Sequence, residues 1–239
     1  MALIASIAMF AGPSAAEDRA ALPLVRVPAA GDGERPMILL LSGDGDWAPF
    51  VREVAELAAR AGAPVLGLKM RAYLSTRRTP DEMASGLAVA VREQLAEWRR
   101  TQLIVIGYSR GADTAAFAIN RWPPELRARV RDVAFVGLSE HAGFEFHLDD
   151  LVRNVVRPGD PPTRPEIERL EDFPLLCLRG ETEDGSFCDR PVTGMRTLIH
   201  PGGHRAQAGD GTAALLMDAL GLTPAAAAQT QTTRYPPPP

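Results

Sequence analysis

The sequence predicts an α/β protein: a doubly wound, mostly parallel sheet with helices on both faces. Three observations predict it. Short apolar runs alternate with helix-like stretches; most of these runs are apolar throughout, as strands buried on both faces are; and the βα alternation continues to the end of the folded region. Taken in order, residues 24–27 and 37–41 open the sheet, and Phe50, Val54, Leu57 and Ala61 form a helical stripe that stops at Gly62. Residues 64–68 read as the next strand. The helix after Thr79 carries the strongest signal, with Thr79 as N-cap, Pro80 at the first helical position and Glu82 at the third. Met83, Leu87, Val91, Leu95 and Trp98 then share one face. Runs at 102–106, 132–138, 173–178 and 195–199 supply four more strands, and the residues after Gly203 up to Leu220 a last helix. A sandwich of this kind binds its ligand outside the carboxyl ends of the strands.

The 239 residues suffice for one sizeable core and contain no linker-like stretch, which predicts one domain over 17–222. Residues 140–171, rich in charge and proline, predict a small cap above the strand ends. From Thr223 onward, Ala, Gln, Thr and a closing proline run predict a disordered tail. With 26 basic against 30 acidic residues the net charge is -4, so no general field attracts nucleic acid or an anionic bilayer. Residues 1–16 are an apolar stretch ending in small residues, with Ser14 and Ala16 suited to a signal peptidase site. They predict export to the periplasm, although a positively charged n-region is missing. An oxidising compartment permits Cys177 and Cys188 to pair, and two unrelated free thiols are the competing reading. Two cysteines are too few for a metal site.

The central chemical signal is Gly107-Tyr108-Ser109-Arg110-Gly111, a G-x-S-x-G that follows an apolar strand and precedes a helix-compatible stretch. Such a turn holds a serine in a strained conformation above the sheet, and its flanking glycines leave space where larger side chains clash. Serine is a poor nucleophile until a base accepts its proton and a third group orients that base. On this architecture the order is serine, acid, histidine. His204, in the glycine-rich loop 201–204 beyond a strand, is the base; His200 closes the strand itself, and His141 and His147 precede the acid. The acid lies in 181–184, after the strand ending at Gly180. Glu183 and Asp184 both remain candidates, with Glu183 preferred for its spacing of three after Gly180.

A tetrahedral oxyanion needs two backbone N–H donors. One is expected from Arg110, the residue after the nucleophile, and the other from the loop Ser42-Gly43-Asp44-Gly45-Asp46, with Asp44 chosen. A phosphate-binding reading of this loop is weaker, because it has no P-loop lysine and two aspartates that repel phosphate.

At this point the chain resembles the VirJ-type bacterial virulence proteins and the related AcvB carboxy-terminal domain. The resemblance rests on Leu-Ser-Gly-Asp-Gly-Asp-Trp at 41–47, Arg78-Thr-Pro80, the segment from Gly107 to Asp113, Phe144-Glu145-Phe146, Cys177 and Cys188 around Gly-Glu-Thr-Glu-Asp, and Pro201-Gly-Gly-His204. It implies an exported protein of α/β-hydrolase fold, linked to type IV secretion and to hydrolysis of lysyl-phosphatidylglycerol. The chain departs from the family pattern in four places. Arg205 stands where a second histidine is common, Arg110 where an aromatic residue is common, and Leu74 and Ser75 replace aromatics after Tyr73.

These observations lead to an expected exported serine hydrolase that cleaves an ester by acyl transfer to Ser109, with no metal or organic cofactor. Its expected partners are a small-molecule or lipid-headgroup ester, secretion-system proteins and the membrane surface, with no nucleic acid. Glu145, Asp149 and Asp150 are candidates for attracting a cationic lysyl group. The rival from another class is a periplasmic binding or scaffold protein that keeps the fold without using the serine.

Overall fold

Seven strands form one sheet: β1 (Leu24–Val27), β2 (Met37–Leu41), β3 (Val65–Leu68), β4 (Leu103–Tyr108), β5 (Val130–Val136), β6 (Leu175–Gly180) and β7 (Arg196–His200). The computed structural model describes residues 22–29, 34–151 and 155–223, so the expected export signal at 1–16 and the tail beyond Thr223 lie outside the described residues. The strand order is β1-β3-β2-β4-β5-β6-β7. Every neighbouring pair runs parallel except β1 with β3. The reversal of β1 is a finding the sequence did not contain, because an apolar run carries no direction.

Among the described residues seven α-helices complete the order: α1 (Pro49–Arg60), α2 (Met70–Tyr73), α3 (Pro80–Glu97), α4 (Arg110–Asn120), α5 (Pro124–Arg127), α6 (Arg164–Glu168) and α7 (Thr212–Ala219). Strand side chains alternate between faces, so each strand feeds two cores. Leu39, Leu41, Val105 and Phe135 pack against α3 and α4 on one side. Ile38, Leu40, Ile106 and Val136 pack with α1 and α7 on the other. This double burial is why β2 and β4 read as continuous apolar runs. Helix α3 begins as expected: Thr79 Oγ1 accepts the Glu82 N–H (3.1 Å) and Glu82 Oε2 accepts the Thr79 N–H (2.7 Å). Met83, Leu87, Val91 and Leu95 are buried, and Trp98 packs against the same core from the helix end.

Two elements differ from the sequence reading. The last helix starts only at Thr212, because Gly202, Gly209 and Gly211 have φ of +84°, +80° and +88° and keep 201–211 in turns. Strand β7 is an edge strand with Arg196, Thr197 and Ile199 exposed, not a strand buried on both faces. In the segment 140–171, Leu148–Leu151 form a 3-10 turn, whereas Ile167 and Leu170 are buried in the core. No helix among the described residues is long and apolar enough to cross a membrane.

Candidate active site

Strand register brings the site together: Leu41 pairs with Gly107, Tyr108 with Val136, and Gly180 with His200, so the loops beyond them share one edge of the sheet. Ser109 sits between β4 and α4 at φ 51° and ψ -120°, a conformation that costs a non-glycine residue about 1–3 kcal/mol. The surroundings impose it. A Cβ on Gly107 would lie 2.5 Å from Ala112 Cα, and one on Gly111 would lie 2.2 Å from the Leu41 carbonyl oxygen, so only glycine permits this strand-to-helix turn. The Ser109 N–H donates to Val136 O at 2.8 Å, and Ser109 O accepts from Ala112 and Asp113 N–H.

Ser109 Oγ lies 3.0 Å from His204 Nε2, and His204 Nδ1 lies 2.6 Å from Glu183 Oε1. With Nδ1–H donating to the carboxylate, Nε2 is left to accept the serine proton. Gly180 organises the acid: its N–H donates to Glu183 Oε2 (2.9 Å) and its carbonyl accepts the Glu183 N–H (3.2 Å). A Cβ on Gly180 would lie 2.2 Å from Gly203 O, so the acid loop and the histidine loop meet backbone to backbone. The Thr182 N–H donates across this contact to Gly202 O (2.9 Å). Gly137 lines the other side of the imidazole, its hypothetical Cβ 3.0 Å from His204 Cε1. Asp184 is exposed on the cleft wall and does not reach the histidine. The disulfide Cys177–Cys188, with Cα atoms 5.8 Å apart, joins β6 to the turn Phe187–Asp189 and closes the loop that carries Glu183.

The electrostatics match this geometry. The Glu183 hydrogen bond is the main reason His204 titrates above its usual 6.5, against the opposing effect of burial. Burial pushes Glu183 upward, but hydrogen bonds from His204 and the Gly180 N–H outweigh it and hold the carboxyl below its ordinary range. Asp113, which the sequence reading did not single out, lies buried one helical turn beyond Ser109. Burial pushes it up to about 7, against the Ser139 N–H that donates to it (2.8 Å) and the charges of Arg110 and His204. Nothing local marks it, because its partner comes from the loop after β5.

The loop 42–46 abuts the serine: a Cβ on Gly43 would lie 3.1 Å from Ser109 Cβ. The backbone N–H groups of Asp44 and Arg110 have no acceptor among the described residues. The Arg110 side chain is only 3% exposed and pairs with Asp44 (Nε–Oδ1 3.3 Å, Nη2–Oδ2 3.3 Å) and with Asp150 (Nη2–Oδ2 2.9 Å). Burial, helped by the charge of Asp150, raises the Asp44 carboxyl above its usual value despite that arginine.

These residues line a cleft of about 1040 Å³ with Phe50, Leu138 and Val156 on its walls. The structure corrects the acidic group expected to receive a cationic substrate. Asp150 is buried and neutralised by Arg110 and by Arg157 (2.7 Å), and Asp149 pairs with Arg157 at 2.5 Å. Glu145 lines a separate cavity of about 400 Å³, beside Arg77 and Arg78. Glu140, also on the cleft wall, pairs with Arg164 and Arg190. Asp184 lines the cleft without an ion pair among the described residues.

Sheet order, the strained serine turn and the loops at the strand ends define a protein of α/β-hydrolase fold. Similar solved structures include an esterase of Pyrococcus furiosus (TM-score 0.57, 15% identity, 90% of this chain and 95% of that one). Others are Est1E from Butyrivibrio proteoclasticus (0.56, 14%, 82% and 90%) and a dienelactone hydrolase from Anabaena variabilis (0.53, 19%, 82% and 88%). At these identities the likeness is one of fold. Residues 35–222 match the bacterial virulence protein family VirJ, and the chain belongs to that family. No curated protein matches it.

Proposed function

We propose that this protein is an exported serine esterase. The observation that carries the reading is the unbroken line Ser109–His204–Glu183, at 3.0 and 2.6 Å, on a serine held in a strained turn. A fold kept as scaffold has no use for that strain. In the mechanism, Ser109 Oγ attacks the ester carbonyl while His204 Nε2 takes its proton. The N–H groups of Arg110 and Asp44 receive the oxyanion. Collapse of the tetrahedral intermediate expels the alcohol, protonated by His204, and leaves an acyl-serine. Water, activated by the same imidazole, then releases the acid and restores the serine.

The proposed substrate is an aminoacylated phosphatidylglycerol, cleaved at the ester between the amino acid and the headgroup glycerol. An aminoacyl ester is an activated acyl donor, and a headgroup ester at the membrane surface requires no deep acyl-chain tunnel. Asp184, on the cleft wall without an ion pair among the described residues, is the carboxylate we assign to a cationic lysyl group. The disulfide supports an oxidising compartment, and an exported enzyme there would meet headgroups at the outer face of the inner membrane. A fluorophosphonate probe should label wild type at Ser109 and leave Ser109→Ala unlabelled; folded wild type that resists the probe returns the reading to a non-catalytic binding or secretion-system protein. Wild type should release free lysine from lysyl-phosphatidylglycerol vesicles. Cleavage of p-nitrophenyl acetate with the lipid untouched would retain the esterase and reject the substrate.

A further inference from the structure

We infer that Arg110 is a positioning residue that sets both halves of the oxyanion site: its backbone N–H is one donor, and its guanidinium clamps Asp44, whose backbone N–H is the other. The inference rests on the serine-esterase reading. Burying a guanidinium is costly unless it is paired, and an apolar side chain would fill this position more simply. Yet Arg110 is 3% exposed and spans Asp44 and Asp150, with Arg157 backing Asp150 from behind. The space is shaped for it: a Cβ on Gly143 would lie 2.2 Å from Arg110 Nη1. Burial opposes the arginine's charge, and Asp44, Asp113 and Asp150 more than offset that.

The loop needs such a clamp. Gly43 and Gly45 leave its backbone intrinsically loose. Its ends are tied elsewhere, since Ser42 Oγ accepts the Met70 N–H (2.9 Å) and Asp46 Oδ1 accepts the Ala72 N–H (3.2 Å). The middle is closed by one turn hydrogen bond, Asp46 N–H to Gly43 O (2.9 Å), and among the described residues the Asp44 side chain is held by Arg110 alone, through two parallel contacts of 3.3 Å. Gly43 lies so near Ser109 that a Cβ on it would come within 3.1 Å of the serine Cβ, which leaves the loop little room inward, and the fork opposes its swinging out. Lysine carries the same charge without a planar fork, so it can neutralise the two aspartates but cannot hold both oxygens of Asp44.

Arg110→Lys, Asp44→Asn and the double variant would be compared with wild type for p-nitrophenyl acetate turnover, thermal stability and fluorophosphonate labelling rate. Arg110→Lys should keep a Tm near wild type while kcat falls about 10- to 100-fold with KM little changed, as expected when transition-state donors are misplaced. Asp44→Asn, which preserves size and main chain, should lose a similar factor, and the double variant should be no worse than either single one. Labelling should slow in parallel. Wild-type kcat in Arg110→Lys, losses confined to KM, or losses that multiply in the double variant would each overturn the inference. If Arg110→Lys does not fold, a normal kcat in Asp44→Asn does the same. Failure of wild type itself to label rejects the esterase reading instead.

Discussion

His204 lies between two carboxylates, Glu183 in contact and Asp113 buried near the serine, and its protonation governs the expected pH dependence. Only the neutral imidazole accepts the serine proton, and Glu183 lifts its pKa above 6.5. Activity on a neutral ester is therefore full above that raised value and falls as pH drops through it. Glu183→Gln should move this acid limb to lower pH while reducing kcat about 10³- to 10⁴-fold, and a pH–rate profile checks both. Stability from the charged pair has the opposite sense near neutrality: it is fully present between the ordinary values of 4.5 for Glu183 and 6.5 for His204, is lost as pH falls through the lowered glutamate value, and is lost again as pH rises through the raised histidine value. Asp113, titrating at about 7, becomes negative over the same range and makes His204 hold its proton longer. The limb should thus be broader than a single ionisation, and Asp113→Asn should sharpen it. Ser109→Ala and His204→Ala should each lower kcat by about 10⁴-fold or more with the circular dichroism unchanged. Asp184→Asn should raise KM for the lysyl lipid alone. Ser109 and His204 were legible because their signals are local, a glycine-flanked serine and a glycine-rich loop. Glu183 and Asp184 could not be separated from sequence, since the choice depends on a turn in which Gly180 N–H grips one carboxylate. The paired state of Asp150 was illegible for a similar reason, because Arg110 is brought to it only by the fold.

Among elements, strands and the α3 start were readable to within a few residues, because apolar runs and a capping box are properties of contiguous sequence. The direction of β1 and the late start of α7 were not, because one depends on pairing with β3 and the other on several glycines at positive φ. The turn from β4 to α4 has no room for change. Gly111→Ala should destabilise the protein by about 2 kcal/mol or more, measured by denaturant unfolding, since its methyl would overlap Leu41 O. The bridge between β6 and the turn after Glu183 has a different signature. Replacing both cysteines by serine removes a cross-link across a separation of 11 residues, about 3 kcal/mol in the chain-entropy model. It should also lower kcat by up to about 10²-fold, because the acid's loop loses its tether. A variant that loses stability but keeps wild-type kcat would show that Gly180 and Gly203 hold the loop unaided.

At the scale of the molecule, every group in the proposed mechanism arrives from a loop at one edge of a sheet whose strands are buried in two cores. The scaffold is stiff and the chemistry sits on its rim. Control of the chemistry then passes to whatever holds the rim together, and the covalent part of that hold is the bond Cys177–Cys188. Newly made chains meet a reducing cytosol, where aminoacyl esters on transfer RNA present the same bond that the proposed enzyme would cleave in a lipid. On the proposed reading, a clasp that closes only on oxidation would separate synthesis from arming and would keep the enzyme from those esters before export. Protein folded under reductant should therefore hydrolyse esters slowly, and its rate should rise in step with loss of titratable thiols once oxidant is added.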